Sequence, residues 1–222
     1  MQFLSHPTFR KHPLLVQLSL FSICLLLLRF AITQEFLYAF LVWNLFLAVL
    51  PLIFSNSLLK MSTREGGKLL WKMLPLLFLW MLFLPNAPYI ITDLFHLRLK
   101  GGAPIWFDLI LILSFGLLGA LLGLKSLQQM NRLLHNHLSQ KALFVFNGSV
   151  MFLCAFGIYI GRFQRWNSWD IITRPMTLLT DVKDLFSPNI FTAEITLMTL
   201  IYGVFLFICY QGFNRAFSSG NR

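Results

Sequence analysis

The residues best suited to chemistry lie in two short polar stretches, and the first is LPNAPYIITDLFHL at residues 84–97. Asp93 and His96 are three residues apart, a spacing that places two side chains on one face of a helix. Either the carboxylate or the imidazole of such a pair can serve as a general base. Asp93 and His96 are therefore candidate catalytic residues, and the neighbouring Asn86 and Tyr89 are candidate substrate-binding residues.

The second polar stretch, GRFQRWNSWD at residues 161–170, combines two guanidinium groups with amide, indole and carboxylate groups. Such a set suits the recognition of an anionic or sugar-like head group. Its candidate substrate-binding residues are Arg162, Arg165, Trp166 and Asn167. Asp170 in this stretch, and Asp108 in the first turn of the run that begins WFDLI, complete the candidate catalytic set. The alternative is a belt of aromatic rings and snorkelling arginines at a membrane surface.

Metal binding is the less favoured interpretation of the Asp-x-x-His pair, although such a pair can supply two ligands. The charge pattern places the other four histidines on the opposite side of the membrane: His6, His12, His135 and His137. The chain also lacks a P-loop, a dinucleotide fingerprint and a Gly-x-Ser-x-Gly motif. We therefore expect no metal and no cofactor. We expect instead ion pairs that join Asp93 or Asp170 to Arg162 or Arg165.

Long apolar segments must position these residues. Of the 222 residues, 57% are hydrophobic and only 12% are charged, about half the usual charged share of a soluble protein. Six segments are long enough to span a membrane: 14–32, 36–54, 69–84, 106–124, 142–160 and 193–210. They predict a single integral membrane domain over residues 1–222. The fold class is all-α, a polytopic membrane helix bundle of about six transmembrane helices with short interfacial helices in two exoplasmic segments.

The charged residues predict the orientation of the bundle. If both chain ends lie on one side, that side carries eleven of the eighteen Lys and Arg residues and one acid, Glu65. The other side carries seven Lys and Arg and seven acids, so the whole net charge of +10 lies on the first side. Because Lys and Arg collect on the cytoplasmic side, both termini should be cytoplasmic. The basic side can contact membrane lipids, and this arrangement argues against nucleic acid as a partner.

Helix-breaking residues and an apolar stripe predict the local structure of the two exoplasmic segments. Pro85 and Pro88 should end the third span, after which residues 89–100 can form three helical turns. In the second segment, Leu178 and Val182 share a stripe with Leu185 and Phe186, which predicts an amphipathic helix along the membrane surface.

Two further features concern the spans themselves. The first apolar run resembles a signal peptide, but Arg29 follows it and no cleavage pattern is present, so we expect an uncleaved span. In the fourth span, Gly119 and Gly123 allow close helix packing, either inside one chain or between two copies.

The stretches LPNAPYIITDLFHL, WFDLI and GRFQRWNSWDI resemble signature stretches of the domain of unknown function 1361 family of bacterial membrane proteins. The resemblance covers most of the chain and is strongest in the two polar stretches. It implies a location in the bacterial envelope, in the inner membrane, and supports the six-span topology. It implies no particular activity.

Three functions fit these observations. The first is a protein that binds or processes a lipid-linked or anionic head group at the outer leaflet, with the arginines as the anion-binding groups. The second is a non-catalytic envelope assembly protein whose polar stretches bind a membrane-protein partner. The third is a small transporter, which the few polar residues at the span centres, mainly Asn44 and Asn147, make less favourable.

Overall fold

The computed structural model describes residues 13–66, 71–97, 102–185 and 192–218. Within these ranges every regular element is a helix. The α-helices are α1 (Pro13–Thr33), α2 (Phe40–Arg64), α3 (Leu74–Phe83), α4 (Asn86–Tyr89), α5 (Ile105–Leu134), α6 (Gln140–Phe163), α7 (Asp170–Thr173), α8 (Pro175–Leu185) and α9 (Thr192–Ser218). Short 3-10 helices at Trp71–Met73 and Ile90–His96 extend the run that contains α3 and α4.

Six of these helical runs are long and apolar enough to cross a membrane, which confirms the predicted all-α, multi-pass fold. Large apolar side chains cover the outside of the bundle, for example Leu27, Val145 and Ile208, which are 62%, 64% and 64% exposed. A soluble protein buries such a surface, whereas lipid solvates it. We call one end of the bundle the polar end; it is the end at which α1, the third span (at residue 96) and α6 finish. We call the opposite end the basic end, because it holds Arg64, Lys72 and Arg132.

The spans extend beyond the segments that apolar composition predicted. Two such extensions are in α2, which continues to Arg64 rather than 54, and in α5, which continues to Leu134 rather than 124. Polar side chains in these extensions face other helices and hydrogen bond there. Ser55 Oγ donates to Gln129 Oε1 at 2.7 Å, and Gln129 Nε2 donates to Asn56 Oδ1 at 2.7 Å. Because these groups satisfy one another, the helices can continue past the apolar runs.

The third span differs from the prediction at its prolines. α3 ends at Phe83, just before Pro85, as expected of a residue without a backbone donor. The chain does not leave the bundle there: α4 and the 3-10 helix Ile90–His96 continue the crossing. Pro85 has helical dihedral angles and caps α4, a position where its missing N–H is not needed. The predicted three turns over residues 89–100 are therefore replaced by this 3-10 helix, and Lys100 lies outside the described residues.

A row of glycines on α5 brings the broken part of the third span against the centre of the bundle. A Cβ on Gly119 would lie 2.6 Å from the carbonyl oxygen of Ala87, and one on Gly123 would lie 2.8 Å from the Cβ of Ala87. Gly116 faces the backbone of Ile91. The close packing predicted for Gly119 and Gly123 is thus confirmed inside one chain.

Replacing Gly119 with Ala is expected to lower the free energy of unfolding by about 1–3 kcal/mol, because the new methyl group overlaps a backbone oxygen. The matched control is Gly148→Ala in α6, where the nearest heavy atom to an added Cβ is 4.0 Å away. That control should be as stable as the wild type or slightly more stable, since Ala favours helix. Denaturant unfolding in one detergent would measure both, and equal effects would contradict the packing described here.

Candidate functional site

A cavity of about 910 Å³ opens at the polar end between α2, the third span and α6. Both predicted polar stretches contribute to its wall: Asn86, Tyr89, Asp93 and His96 from the first, and Arg162, Arg165, Trp166 and Asn167 from the second. Farther along the helices the wall becomes apolar, with Leu47, Met81, Leu153, Cys154 and Phe156. Leu153 is nine residues from Arg162 on α6, so the cavity reaches roughly 13 Å into the bundle.

Asp93 is the centre of a hydrogen-bonded network in the cavity wall. Its side chain is 1% exposed, and each carboxylate oxygen has a partner. Asn44 Nδ2 donates to Oδ2 at 2.8 Å, and Arg162 Nη1 donates to Oδ1 at 3.3 Å. The predicted pairing of Asp93 with Arg162 is thereby confirmed. Because Asn44 lies on α2 and Arg162 on α6, the network ties three spans together.

Arg162 is held from several directions. It also donates to the carbonyl oxygen of Thr92 and, at 3.4 Å, to the hydroxyl oxygen of Tyr89. Its guanidinium lies 5.3 Å from the ring centroid of Phe95, within cation–π range. Arg162 is therefore a well-anchored side chain that is only 11% exposed.

The contact between Arg162 and His96 fixes the role of the imidazole. Arg162 Nη2 lies 3.2 Å from His96 Nδ1. A guanidinium can only donate, so Nδ1 is the acceptor in this contact. The His96 side chain is 43% exposed and lines the cavity, so a ligand can reach it.

Arg165 differs from Arg162 in having no partner among the residues that the structure describes. It lines the cavity and is exposed. Its backbone has φ = 58°, in the left-handed region, at the point where α6 ends. That position after a helix usually carries Gly or Asn, because a Cβ makes it strained. An Arg here retains a cationic side chain at a backbone cost of about 1–2 kcal/mol.

Hydrogen bonds fasten the segment after α6 over the cavity. Asn86 Nδ2 donates to Ser168 Oγ at 2.8 Å, and Trp166 Nε1 donates to Asp181 Oδ2 at 3.0 Å. The predicted amphipathic helix is α8, whose Leu178 and Val182 line the cavity. Its position at a membrane surface stays a prediction, and Phe186 lies outside the described residues.

The expectation that Asp170 lines the cavity together with Asp93 is not met. Its Oδ2 accepts from the backbone N–H of Asn167 at 2.8 Å, and its Oδ1 accepts from Arg174 Nη2 at 3.0 Å. The backbone hydrogen bond from Asn167, assisted by Arg174, lowers the pKa of the Asp170 carboxyl below its usual value. Asp170 thus shapes the turn that begins α7, and its predicted pairing with Arg162 or Arg165 is wrong.

Asp108 also lies away from the cavity, at the start of α5. Arg29 Nε donates to Asp108 Oδ1 at 2.8 Å, and Arg29 Nη2 donates to Oδ2 at 3.4 Å. Both side chains are 1% exposed, and the guanidinium also lies 4.6 Å from the ring centroid of Tyr38. The expectation that Asp108 joins Asp93 in one site is not met, because this buried pair fastens α1 to α5.

The other predicted site residues share the cavity, and their roles as catalytic or binding residues stay predictions. Within the described ranges no group of three or more His, Cys, Asp and Glu side chains is placed to hold a metal ion. Trp43, Cys154 and Phe156 also line the site, and no sequence pattern predicts them there. Apolar lining residues of this kind resemble those of any other part of a span. Among the lining residues that were not predicted, only Asn44 carries a sequence signal, because it is an amide inside an apolar run.

One family model, described as a protein of unknown function (DUF1361), matches residues 43–209, which is most of the chain. No curated protein and no solved structure matches the chain.

Proposed function

The chain belongs to the DUF1361 family, and from the chemistry of its cavity we propose that it binds an amphipathic, lipid-like molecule with an anionic head group. The observation that carries this proposal is the division of one cavity wall into a polar mouth and an apolar interior. A free polar metabolite leaves the apolar part unused, and a plain hydrocarbon leaves the polar groups unpaired. A molecule with a head group and an alkyl chain satisfies both.

The charges of the wall support an anionic head group. Among the described lining residues, the acidic and basic side chains are Asp93, His96, Arg162 and Arg165. Asp93 and Arg162 neutralise each other, which leaves the guanidinium of Arg165 as the uncompensated charge. A guanidinium binds phosphate or carboxylate with two parallel hydrogen bonds. Trp166 and Asn167 follow Arg165 in the chain and also line the mouth, so the head group can contact an indole and an amide.

Two lining residues indicate that the cavity is reached from the bilayer. Trp43 on α2 and Leu153 on α6 both line it, and these large apolar side chains are 53% and 51% exposed. We infer that the cavity opens toward the lipid between α2 and α6. An alkyl chain can enter by that side while its head group stays at the polar end, so no part of the ligand crosses an unfavourable medium.

The distribution of basic residues supports a proposal about the location of the protein. We place the basic end on the cytoplasmic side of a bacterial inner membrane, because Lys and Arg collect there. The polar end and its cavity then face the outer leaflet. The ligand is accordingly a lipid or lipid-linked molecule of that leaflet.

Binding is favoured over the other functions by the state of the polar groups. Each Asp93 oxygen accepts a hydrogen bond from another span, and His96 Nδ1 faces a permanent cation. These contacts hold the cavity wall together, which favours binding over proton abstraction. Transport is the second candidate, since the cavity reaches Asn44. Beyond Cys154, however, the buried Val150, Met151 and Trp80 fill the bundle.

The proposal is tested by a series of three probes against the protein in lipid discs: decyl phosphate, decanol and inorganic phosphate. Calorimetric titration, with empty discs as the reference, should give decyl phosphate a Kd at least about tenfold below that of either part alone. The reason is that only decyl phosphate fills both halves of the cavity. Equal affinities for decanol and decyl phosphate would show that no head group is recognised, and the proposal would fail.

A further inference from the structure

A second cavity, of about 590 Å³, lies at the basic end between the end of α5, the start of α6 and the end of α9. Seven of its twelve lining residues are Asn or Gln, and none of the twelve is Asp or Glu. It shares no lining residue with the cavity at the polar end. An amide presents both a donor and an acceptor, so a wall of amides matches a ligand that carries several hydroxyl groups.

The amides reach into the span rather than staying at its edge. Asn147 is seven residues after the start of α6, which places it roughly 10 Å along the helix. Gln128 and Asn147 are only 4% and 7% exposed. Polar side chains at such depth are expensive in a membrane protein and mark functional positions.

Two amide side chains in the wall of this cavity hydrogen bond to each other. Asn131 Nδ2 donates to Asn147 Oδ1 at 2.6 Å, and Asn147 Nδ2 donates back to Asn131 Oδ1 at 2.9 Å. Each amide nitrogen has two hydrogens and each oxygen two lone pairs, so Asn147 keeps both a donor and an acceptor beyond this exchange. A ligand hydroxyl can use them without breaking the pair.

The same wall contains a cation that can take an anion. Arg132 lines the cavity, is exposed and has no hydrogen-bond or ion-pair partner in the described part of the chain. Because none of the described residues that line this cavity is a carboxylate to compete for it, its guanidinium is available for two parallel hydrogen bonds to a phosphate.

We propose that this second cavity binds a phosphate ester that bears several hydroxyl groups, of the glycerol phosphate type. Such a ligand can be a free molecule or the head group of a lipid, since the lining Phe144 is a large apolar side chain that is 57% exposed. This site is independent of the cavity at the polar end, which we call the amphiphile cavity, and does not require it.

Two probes distinguish these sources. Radiolabelled glycerol 3-phosphate is titrated against protein in phosphatidylcholine discs, and phosphatidylglycerol bound to purified protein is counted by native mass spectrometry against phosphatidylcholine. The variants are Arg132→Ala and, as a matched control, Lys141→Ala, a cation at the same end that is exposed but does not line the cavity. Gln211→Ala tests an amide that has no recorded partner in the described ranges.

We expect saturable binding of at least one probe, weakened about tenfold or more by Arg132→Ala, weakened less by Gln211→Ala, and unchanged by Lys141→Ala. Binding of the soluble probe identifies a free ligand, and binding of phosphatidylglycerol alone identifies a lipid. Two outcomes overturn the proposal. One is no saturable binding of either probe, for the soluble one up to about 10 mM. The other is an equal loss in Arg132→Ala and Lys141→Ala, which indicates only attraction to the basic end.

Discussion

Replacing Asp108 with Asn is expected to lower the free energy of unfolding by about 3–5 kcal/mol, the largest loss of stability that we predict for any single polar residue here. The reason is the position of its partner: Arg29 is 1% exposed and would lose the buried carboxylate that lies closest to it, at 2.8 Å. Its hydrogen bonds to Thr33 Oγ1 at 3.3 Å and to the carbonyl oxygen of Glu35 at 3.4 Å bring no negative charge. Chemical denaturation in a single detergent measures the loss.

Two comparison variants test whether this loss of stability is specific to the buried Asp108 carboxylate. Glu35→Gln removes the other acid near Arg29, but that carboxylate is 54% exposed and 4.0 Å away, so the change should cost less than about 1 kcal/mol. Asp93→Asn should fall between the two, because Arg162 keeps the carbonyl of Thr92 as a partner. If Asp108→Asn proves no more harmful than Glu35→Gln, the buried pair does not fasten α1 to α5.

Replacing Arg165 with Gly is expected to weaken the binding of decyl phosphate by about 10- to 100-fold, the size expected for one charge-assisted hydrogen-bonded contact. The same substitution should leave the free energy of unfolding unchanged or raise it by up to about 1 kcal/mol. Gly adopts the left-handed backbone of this position without strain, and the Arg side chain has no partner among the described residues to lose. A variant that loses binding while it keeps or gains stability identifies a binding residue rather than a structural one.

The control for Arg165 is Lys183→Ala. Lys183 is a cation at the polar end that is exposed and does not line the cavity. Calorimetric titration of both variants separates a specific contact from general attraction by positive charge. A comparable loss of affinity in Lys183→Ala, or a clear loss of stability in Arg165→Gly, would contradict the role proposed for Arg165.

The sequence predicted the spans well because apolar composition and length are set by the membrane itself. It predicted the ends of α2 and α5 about ten residues too early. There the inward positions are polar, as at Ser55 and Gln129, and only the folded structure shows that these side chains bond to one another. Composition alone treats such residues as the start of a loop.

Within the site, the sequence identified the two polar stretches and one correct ion pair, Asp93 with Arg162. It could not separate the acids by role. Asp108 pairs with Arg29, which is 79 positions away, and no local pattern indicates that contact. Asp170 is engaged by the backbone of Asn167 through a turn that forms only when α6 ends at Phe163. The strained backbone of Arg165 is likewise a property of the folded chain.

The most direct test of the amphiphile cavity is photolabelling with an alkyl phosphate that carries a diazirine at the end of its chain. Mass spectrometry of the labelled protein should find the probe on Leu47, Met81 or Cys154, where the apolar interior lies. Excess decyl phosphate and the Arg165→Gly substitution should both reduce this labelling. Labelling confined to lipid-facing residues such as Leu200 and Phe205, unaffected by either treatment, would contradict the binding of an amphiphile in this cavity.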